Sequence, residues 1–255
     1  MHPVILRIGP FSIYSYGVMV ALGFGLATAL IYKNAARYGI DKSKIIDFAI
    51  LILFAGIVGA RVFYVLSNID YYIANPFEIL NLSKGGLVWY GGFASALLAS
   101  IWYLKKNSIP FWTFADFIAP YIALAQGLGR IGCFLNGCCF GMEASRPGYP
   151  FAVIFPDSHT LRHPTQVHSS LALLFIFIVL RIRQERPHFT GQIFLAYCIL
   201  YSMKRYILEY LRGDNPILTL GLTVSQVISI LVFSISIPLF LYKAFEWKRA
   251  LLRSK

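Results

Sequence analysis

Seven long apolar stretches constrain what this chain can fold into. They lie near residues 11–32, 45–67, 87–104, 114–132, 165–180, 190–211 and 222–245. A helix needs about 20 residues to cross the ~30 Å hydrocarbon core of a bilayer, and these stretches approach or exceed that length. In lipid, backbone polar groups must be satisfied within the spanning element, which favours helices. The sequence therefore predicts an all-α polytopic membrane protein with seven transmembrane helices.

The composition excludes the soluble alternatives. Of the 255 residues, 58% are hydrophobic and only 13% are charged. A soluble domain carries about 25% charged residues, so this chain has about half of the charge that a wet surface needs. The net charge of +12 does not indicate nucleic-acid binding, because the basic residues lie in short loops and not in a solvated run with interleaved aromatics. We expect one seven-helix membrane domain over residues 1–255 and no nucleic-acid partner.

The Lys and Arg residues of the loops predict the orientation of the chain. Cytoplasmic loops collect Lys and Arg, and the loops alternate between a set with fourteen of them and a set with five. The N-terminus should therefore lie outside and the C-terminus in the cytoplasm, with extracytoplasmic loops at 68–86 and 133–164. The richer set is Lys33, Arg37, Lys42, Lys44, Lys105, Lys106, Arg181, Arg183, Arg186, Lys243, Lys248, Arg249, Arg253 and Lys255. The poorer set is Arg7, Lys84, Arg146, Arg162 and Arg212.

Four basic residues fall inside the predicted spans, toward their outer halves: Arg61, Arg130, Lys204 and Arg205. A charge at the centre of a bilayer costs at least ~2.5–3.5 kcal/mol, so such residues are usually paired or functional. Long basic side chains can also snorkel to the head groups, which is our interpretation of Lys204. For Arg130 and Arg205 the neighbouring residues favour a functional role.

Tyr201, Arg205, Glu209 and Arg212 recur at helical spacing and form one stripe of a helix. Two guanidinium groups that flank one carboxylate leave a net positive charge. This arrangement suits an anionic ligand whose phosphate is shared by the arginines, with Glu209 orienting them. The alternative is a structural ladder of salt bridges, and the stripe alone does not separate the two.

The segment 126–141 is rich in glycine and contains Arg130 and Asn136. Glycine lets a backbone approach a neighbouring helix or a phosphate closely. Helix packing alone does not explain an arginine among the glycines. The segment is not a dinucleotide-binding fingerprint, because no strand precedes it and its setting is lipid. We therefore interpret it as part of a site on the outer side.

Short motifs at the predicted outer helix ends fit the same picture. Tyr16 lies near the start of the first span, and Tyr90 precedes Gly91 and Gly92 at the start of the third. Interfacial tyrosine is typical of the aromatic belt, but the exposed backbone of two glycines could also hold a head group. His163 closes the long outer loop and is either a satisfied surface histidine or a general base.

The cysteines Cys133, Cys138 and Cys139 allow several interpretations. Zinc is one, but structural zinc sites normally have four N or S ligands and only three residues cluster here. A disulfide is compatible with an oxidising compartment, and free cysteine also serves as a small apolar residue. A nucleophilic thiol needs a lowered pKa, which Arg130 could supply. We expect structural use first and a nucleophile last, and no bound metal ion.

These motifs together resemble the prolipoprotein diacylglyceryl transferase family of bacterial membrane enzymes. The family signature is approximately Gly-Arg-x-Gly-Asn-Phe-x-Asn-Gly-Glu-x-x-Gly, and residues 129–141 read Gly-Arg-Ile-Gly-Cys-Phe-Leu-Asn-Gly-Cys-Cys-Phe-Gly. Further matches occur in family order between residue 16 and about residue 230. They are Tyr16-Gly17, Gly59-Ala60-Arg61, Tyr90-Gly91-Gly92, Asp116 to Pro120, Arg162 to Gln166, and the stripe of Arg205, Glu209 and Arg212.

The resemblance implies transfer of a diacylglyceryl group from phosphatidylglycerol to the lipobox cysteine of a preprolipoprotein, with release of glycerol phosphate. It implies a multi-pass protein of the bacterial cytoplasmic (inner) membrane with no metal or other cofactor. Its partners would be phosphatidylglycerol, the preprolipoprotein signal peptide and membrane lipids. Arg130 and Arg205 would hold the phosphate and stabilise its charge as it leaves, and Tyr90 and His163 are the other catalytic candidates. The remaining substrate-binding candidates are Tyr16, Arg61, Gly91, Gly92, Gly129, Asn136, Gly141, Glu209 and Arg212.

The chain departs from the family pattern at chemically important positions. Many members have His where Tyr90 stands, and a tyrosine with a pKa of about 10 is a poor base, so His163 is the substitute candidate. The first Asn and the Glu of the signature are replaced by Cys133 and Cys138. Two alternatives stay open: a family paralogue with an altered acceptor, and a non-catalytic membrane protein that binds or transports lipids or other anions.

Overall fold

A computed structural model of the chain describes residues 1–9, 11–81, 85–144, 150–156, 158, 160–213, 215–218 and 221–253. Three of the loop charges counted above, Lys84, Arg146 and Lys255, lie outside the described residues. The same holds for parts of the predicted outer loops 68–86 and 133–164.

Helices make up most of the described residues. They are α1 (Ser15–Asn34), α2 (Lys42–Ser67), α3 (Ile69–Ala74), α4 (Trp89–Lys106), α5 (Phe111–Asn136), α6 (Thr165–Gln184), α7 (Gln192–Glu209) and α8 (Val224–Arg253). Two 3₁₀ turns, Ala35–Tyr38 and Pro76–Leu80, follow α1 and α3. Each of the seven apolar stretches therefore contains one long helix.

In the described part of the chain, two short antiparallel hairpins accompany the helices. Strand β1 (Val4–Ile8) pairs with β2 (Phe11–Tyr14), and β3 (Val153–Ile154) pairs with β4 (Leu161–Arg162). The first apolar stretch is thus not helical from residue 11, as its composition had suggested. The helix begins at Ser15, whose backbone N–H donates to the Pro3 carbonyl at 2.9 Å. This contact joins the helix start to the hairpin, and no local pattern encodes it.

Among the described residues, five helical segments are long and apolar enough to cross a bilayer: Ser15–Tyr38, Lys42–Ser67, Phe111–Asn136, Thr165–Gln184 and Val224–Arg253. Helices α4 and α7 are not among them. Glycine, aromatic residues and two terminal lysines lower the mean hydropathy of α4, and α7 carries three charged residues within 18 residues. Large apolar side chains such as Phe54, Phe175 and Ile235 are more than 60% exposed, as expected for a surface that faces lipid. The protein is therefore an all-α polytopic membrane protein.

The chain forms two compact units, residues 1–31 with 115–255 and residues 32–114. In the first unit, α5, α6 and α7 pack around small and branched residues such as Ala119, Leu173 and Ile193, all at most 1% exposed. The buried carboxylate of Asp116 accepts the backbone N–H groups of Gly191 and Phe194, at 2.6 and 2.8 Å. An acidic group that binds free N–H donors stabilises a helix start, so Asp116 ties the start of α7 to α5.

Helix ends in the first unit are also fixed by local capping. Thr223 and Gln226 exchange hydrogen bonds between side chain and backbone at the start of α8, which is a capping box.

Helix α1 crosses α5 closely where a Cβ added to Gly23 would lie 3.0 Å from the Ala125 carbonyl oxygen. Such small-residue crossings let apolar helices associate in lipid, where the hydrophobic effect does not drive their packing.

The second unit is built on α2 and α4. Helix α2 begins after Asp41, whose carboxylate accepts the backbone N–H of Ser43 at 2.9 Å. Glycines then bring the two helices into backbone contact: a Cβ on Gly59 would lie 2.7 Å from the Gly91 carbonyl oxygen. A Cβ on Gly92 would lie 2.9 Å from the carbonyl oxygen of Gly56. The pair is a close-packed helical hairpin of the kind that lipid-embedded proteins favour.

Candidate functional site

A small polar pocket lies in the first unit, where the ends of α5, α6 and α7 meet. Its wall combines four basic groups with two hydroxyl groups from the start of α6. The lining residues are Arg130, Thr165, Ser169, Lys204, Arg205, Leu208 and Arg212. The structure thus brings together Arg130 and Arg205, the two arginines that the sequence analysis singled out, although 75 positions separate them. Positive charges that line one small pocket repel each other, so the four basic groups favour the binding of an anion between them.

Arg205 is held by a network around one buried carboxylate. Its Nη2 lies 3.0 Å from Oε2 of Glu209, one helical turn later, and also donates to the Ser225 hydroxyl at 2.6 Å. The Glu209 side chain is 0% exposed, and its Oε1 accepts from Asn215 at 2.5 Å and from Thr223 at 2.8 Å. Glu209 and Ser225 hold the Arg205 guanidinium directly, and Asn215 and Thr223 hold the Glu209 carboxylate in place. The direction of the guanidinium is therefore set before any ligand binds.

Lys204 belongs to the pocket wall, which differs from our snorkelling interpretation. It is only 8% exposed, and its Nζ donates to the hydroxyl of Ser169 on α6 at 3.1 Å. The ammonium also lies 4.5 Å from the centre of the Tyr201 ring, a cation–π distance. Sequence reasoning missed this residue because neither the α6 hydroxyl nor the burial is visible in the α7 sequence.

Arg130 is the least restrained of the basic groups. Within the described parts of the chain its guanidinium makes no hydrogen bond and no ion pair with a protein acceptor. A guanidinium carries five N–H donors in a rigid fork that matches a phosphate. Arg130 can therefore offer donors to a ligand without first breaking contacts with the residues that the structure describes. Arg212 lines the same pocket directly after α7.

Gly141 lies at a crossing of three segments. Its N–H donates to the His163 carbonyl at 2.8 Å, and the next residue bonds the Leu211 carbonyl at 2.9 Å. A Cβ on Gly141 would lie 2.4 Å from the Leu211 carbonyl oxygen and 2.8 Å from the Thr165 methyl. No side chain fits at position 141. Glycine is therefore needed where the loop after α5 contacts the start of α6, which carries Thr165, and the segment after α7, which carries Arg212.

The other predicted residues of the first unit lie around this framework. The backbone of Tyr16 packs on α5: a Cβ added to Gly132 would lie 3.3 Å from the Tyr16 Cα. The Tyr16 side chain is 46% exposed. Asn136 is the last residue of α5. Among the described residues nothing lies within 4 Å of a Cβ on Gly129, so packing does not require that glycine. His163 pairs its backbone with the loop after α5 and is not among the pocket-lining residues.

The three clustered cysteines form a compact group at the end of α5. Their sulfur atoms all lie within 4.8 Å of one another, and each residue is partly buried and free of a disulfide. Hydrogen bonds from the thiols of Cys133 and Cys138 lower the pKa of Cys139. The positive charges of Arg212 and Arg130 act in the same direction. Burial opposes both effects by raising the pKa of the same thiol, but the net direction is downward.

In the second unit, Arg61 has different partners from those we expected of a ligand-binding residue. All five of its guanidinium N–H donors point to backbone carbonyls of the loop between α3 and α4, at 2.7–3.1 Å. Those carbonyls belong to Glu78, Ile79, Asn81, Gly85 and Gly86. With no donor left over, Arg61 organises this loop and cannot simultaneously hold a phosphate.

Tyr90, Gly91 and Gly92 begin α4 in the same unit. Tyr90 is 56% exposed, and the two glycines contact α2. A Cβ on Gly91 would lie 2.5 Å from the Phe63 side chain. The glycines thus have a packing reason that does not require a head group.

The sequence was compared with known proteins. A family model described as prolipoprotein diacylglyceryl transferase matches residues 3–242. A protein of Clostridium tetani named phosphatidylglycerol–prolipoprotein diacylglyceryl transferase is 35% identical over 251 residues, covering 98% of this chain and 100% of the relative. Proteins with the same name from Bacillus licheniformis and Enterococcus faecalis are each 32% identical, covering 96% and 95% of this chain and 94% and 91% of the relatives.

Proposed function

This chain belongs to the prolipoprotein diacylglyceryl transferase family, and we propose that it transfers a diacylglyceryl group from phosphatidylglycerol to a prolipoprotein thiol, the first step of lipoprotein maturation. The observation that carries the proposal is the pocket at the ends of α5, α6 and α7. Four basic side chains and one buried carboxylate converge there, and a phosphate group is the anion that such a set of donors binds best.

The acceptor in this proposal is the lipobox cysteine of a prolipoprotein signal peptide. Its thiolate attacks the glyceryl carbon that carries the phosphate of phosphatidylglycerol. A carbon–sulfur bond forms, the carbon–oxygen bond to phosphate breaks, and the electron pair leaves with the oxygen of glycerol phosphate. The leaving group gains negative charge in the transition state, so fixed positive donors accelerate the step.

Arg130 and Arg205 have complementary parts in this step. Arg205 is oriented by Glu209 and Ser225, so it supplies a pre-positioned donor toward the leaving oxygen. Arg130 has no acceptor among the described residues, so its donors can follow the phosphate as its charge increases. Lys204 and Arg212 add positive charge to the same wall and keep the site selective for an anionic lipid.

The membrane arrangement that we propose has seven spans, with the N-terminus outside and the C-terminus in the cytoplasm of the bacterial inner membrane. The support is the alternation of the loop charges, together with the seven long helices at the seven apolar stretches. Helix α7 carries the polar stripe, which explains why its apolar length is short. In this orientation the pocket faces the outer leaflet, where the lipobox cysteine emerges beside its signal helix.

The reaction also requires a general base that removes the proton from the acceptor thiol. Tyr90 and His163 were the sequence candidates, and tyrosine with a pKa of about 10 deprotonates a thiol poorly. Of the other candidates, Gly129 and Asn136 lie on α5 with Arg130, Tyr16 lies on the helix that packs against α5 at Gly132, and Gly141 contacts the pocket residue Thr165. Arg61, Gly91 and Gly92 support the second unit through the contacts described above.

The test is a lipidation assay with the purified full-length enzyme, phosphatidylglycerol and a synthetic lipobox peptide, followed by mass spectrometry of the peptide. We expect Arg130→Ala and Arg205→Ala each to lower kcat/KM at least about 100-fold, as the loss of one transition-state donor does. Arg249→Ala is the matched control, because Arg249 lies near the end of α8, where its guanidinium packs over the Phe245 ring, and it is not one of the pocket-lining residues. Near-wild-type kcat/KM in both pocket variants would remove the arginines from the reaction.

The same assay distinguishes the alternatives. A paralogue with another acceptor would consume phosphatidylglycerol without modifying the lipobox peptide. A lipid-binding or transport protein would bind phosphatidylglycerol and release no glycerol phosphate.

A further inference from the structure

Three thiols lie where a single metal ion could bind all of them. Cys133 is in the last turn of α5, and Cys138 and Cys139 follow directly after the Gly137 turn. Their sulfurs are all within 4.8 Å of one another. Three thiolates that share one ion at ~2.3 Å each lie about 4 Å apart, so a small closure of this cluster is enough. The fourth cysteine, Cys198, lies elsewhere, on α7.

The segment that carries the thiols is held in place by the start of α6. The side chain of Gln166, 1% exposed, donates to the Cys138 carbonyl at 2.7 Å. The Thr165 hydroxyl, from a residue 4% exposed, donates to the Cys139 carbonyl at 3.0 Å. These two buried anchors fix the backbone on which two of the three sulfurs are mounted.

Cys139 adopts a backbone conformation that residues with a side chain avoid. Its φ is +63°, in the left-handed region that favours glycine. Strained residues of this kind persist where the surroundings hold them, and they concentrate at functional sites. If the cysteine were only a small apolar filler, glycine would occupy this position at lower energetic cost. In this conformation the Cys139 sulfur lies within 4.8 Å of the other two.

The cluster adjoins the proposed phosphate pocket. Thr165 both lines that pocket and bonds the Cys139 carbonyl. Arg130 precedes Cys133 by three residues, about one helical turn along the same face of α5. A group bound at the thiols would therefore lie beside the group bound by the arginines.

We propose that Cys133, Cys138 and Cys139 bind one thiophilic divalent cation of the zinc class and leave its fourth coordination position for the acceptor thiol. Three protein ligands with an open position are the pattern of catalytic zinc sites, whereas structural sites fill all four. Our expectation that no metal binds was based on the missing fourth ligand, which the lipobox cysteine supplies here. This inference rests on the proposed transferase function.

The cation would meet the need for proton removal. A thiol that coordinates the ion loses its proton to solvent and is held as a thiolate. The thiolate sulfur attacks the glyceryl carbon, the carbon–oxygen bond breaks, and the electron pair leaves on the glycerol phosphate oxygen beside the arginines. No oxidation or reduction occurs. The product thioether is a weaker ligand than a thiolate, so the lipidated peptide dissociates and frees the position.

Metal binding is tested first and without reference to activity. The purified full-length protein is stripped with a chelator and titrated with Cd²⁺, while the ultraviolet sulfur-to-cadmium charge-transfer band is followed. We expect one ion per chain for the wild type and for the matched control Cys198→Ser. Cys133→Ser and Cys139→Ser should lose most of the band while retaining the gel-filtration profile of the control. No stoichiometric band in the wild type, or an unchanged band in both variants, overturns the inference.

Lipidation then separates this inference from the function on which it rests. Chelated wild-type enzyme should lose lipidation at least tenfold and regain it with Zn²⁺. If the chelated enzyme and Cys139→Ser lipidate the peptide at the wild-type rate, the metal step is wrong and the transferase function stands. If the zinc-loaded protein binds the ion but never modifies the peptide, the transferase function is wrong and the metal site stands.

Discussion

Glu209 offers the sharpest test of how the pocket is organised. Its buried carboxylate joins Arg205, Asn215 and Thr223 at 2.5–3.0 Å. Glu209→Gln preserves the shape of the side chain but removes its charge. Removing one partner from a buried ion pair leaves the other charge uncompensated and typically costs about 3–5 kcal/mol. Because glutamine retains some of the hydrogen bonds, we expect the lower end, about 3 kcal/mol, in the free energy of unfolding.

The effect on catalysis follows from the position of Arg205. A donor displaced by about 1 Å from its productive place loses on the order of 100-fold in rate. We therefore expect Glu209→Gln to lower kcat/KM for peptide lipidation about 100-fold, mainly through kcat, because the loss concerns the leaving group. The assays are the mass-spectrometric lipidation assay and thermal unfolding in the same lipid–detergent mixture.

The chain contains a matched control for this substitution. Arg181 near the end of α6 and Glu185 directly after it form an ion pair of the same spacing at 2.7 Å, but the Glu185 side chain is 54% exposed. Exposed pairs of this kind contribute about 0.3–0.5 kcal/mol, so Glu185→Gln should leave both stability and lipidation nearly unchanged. Equal effects of the two substitutions, or a change below twofold in kcat/KM for Glu209→Gln, would refute the reasoning.

Three further predictions concern the framework. Gly141→Ala should lower the free energy of unfolding by about 1–3 kcal/mol, because the added methyl group overpacks the crossing after α5. Gly129→Ala should not lower it, because the space beside Gly129 is open, and thermal unfolding of the two variants measures the difference. Arg61→Lys removes most of the five carbonyl contacts, so limited proteolysis should cleave the loop between α3 and α4 faster. The hydrogen bond from the Ser43 N–H lowers the pKa of Asp41. The ionised carboxylate therefore stabilises the fold above the ordinary aspartate pKa of ~3.9, and this contribution is lost as the pH falls through the lowered pKa. Thermal unfolding at decreasing pH should show the stability difference between the wild type and Asp41→Ala vanish below that lowered pKa.

Much of the architecture was accessible from local pattern. Apolar length, the spacing of the stripe on α7 and the motif at 129–141 predicted the helices and the family, and the family is confirmed. These features succeed because helix formation in lipid depends on contiguous residues. The β1–β2 hairpin before α1 was missed, because a short amphipathic ribbon has the same composition as the start of a span.

The site shows where local pattern stops. Lys204 looked like a snorkelling residue until the α6 hydroxyl of Ser169 was found opposite it. Arg61 looked like a ligand-binding residue, but its donors are all taken by a loop of its own unit. Both outcomes depend on segments 17 or more positions away, and no periodicity in the α2 or α7 sequence carries that information.

The amino-acid pattern was thus sufficient for the family and for the class of protein, an all-α polytopic membrane protein, because hydrophobic length and charge placement act along the chain. Packing decided which basic groups share one pocket and which glycines let helices come into backbone contact. It also brought three thiols close together. The physical reason is that a charge or thiol acquires its role from whatever surrounds it. Those surroundings come from distant segments that meet only once the helices have assembled.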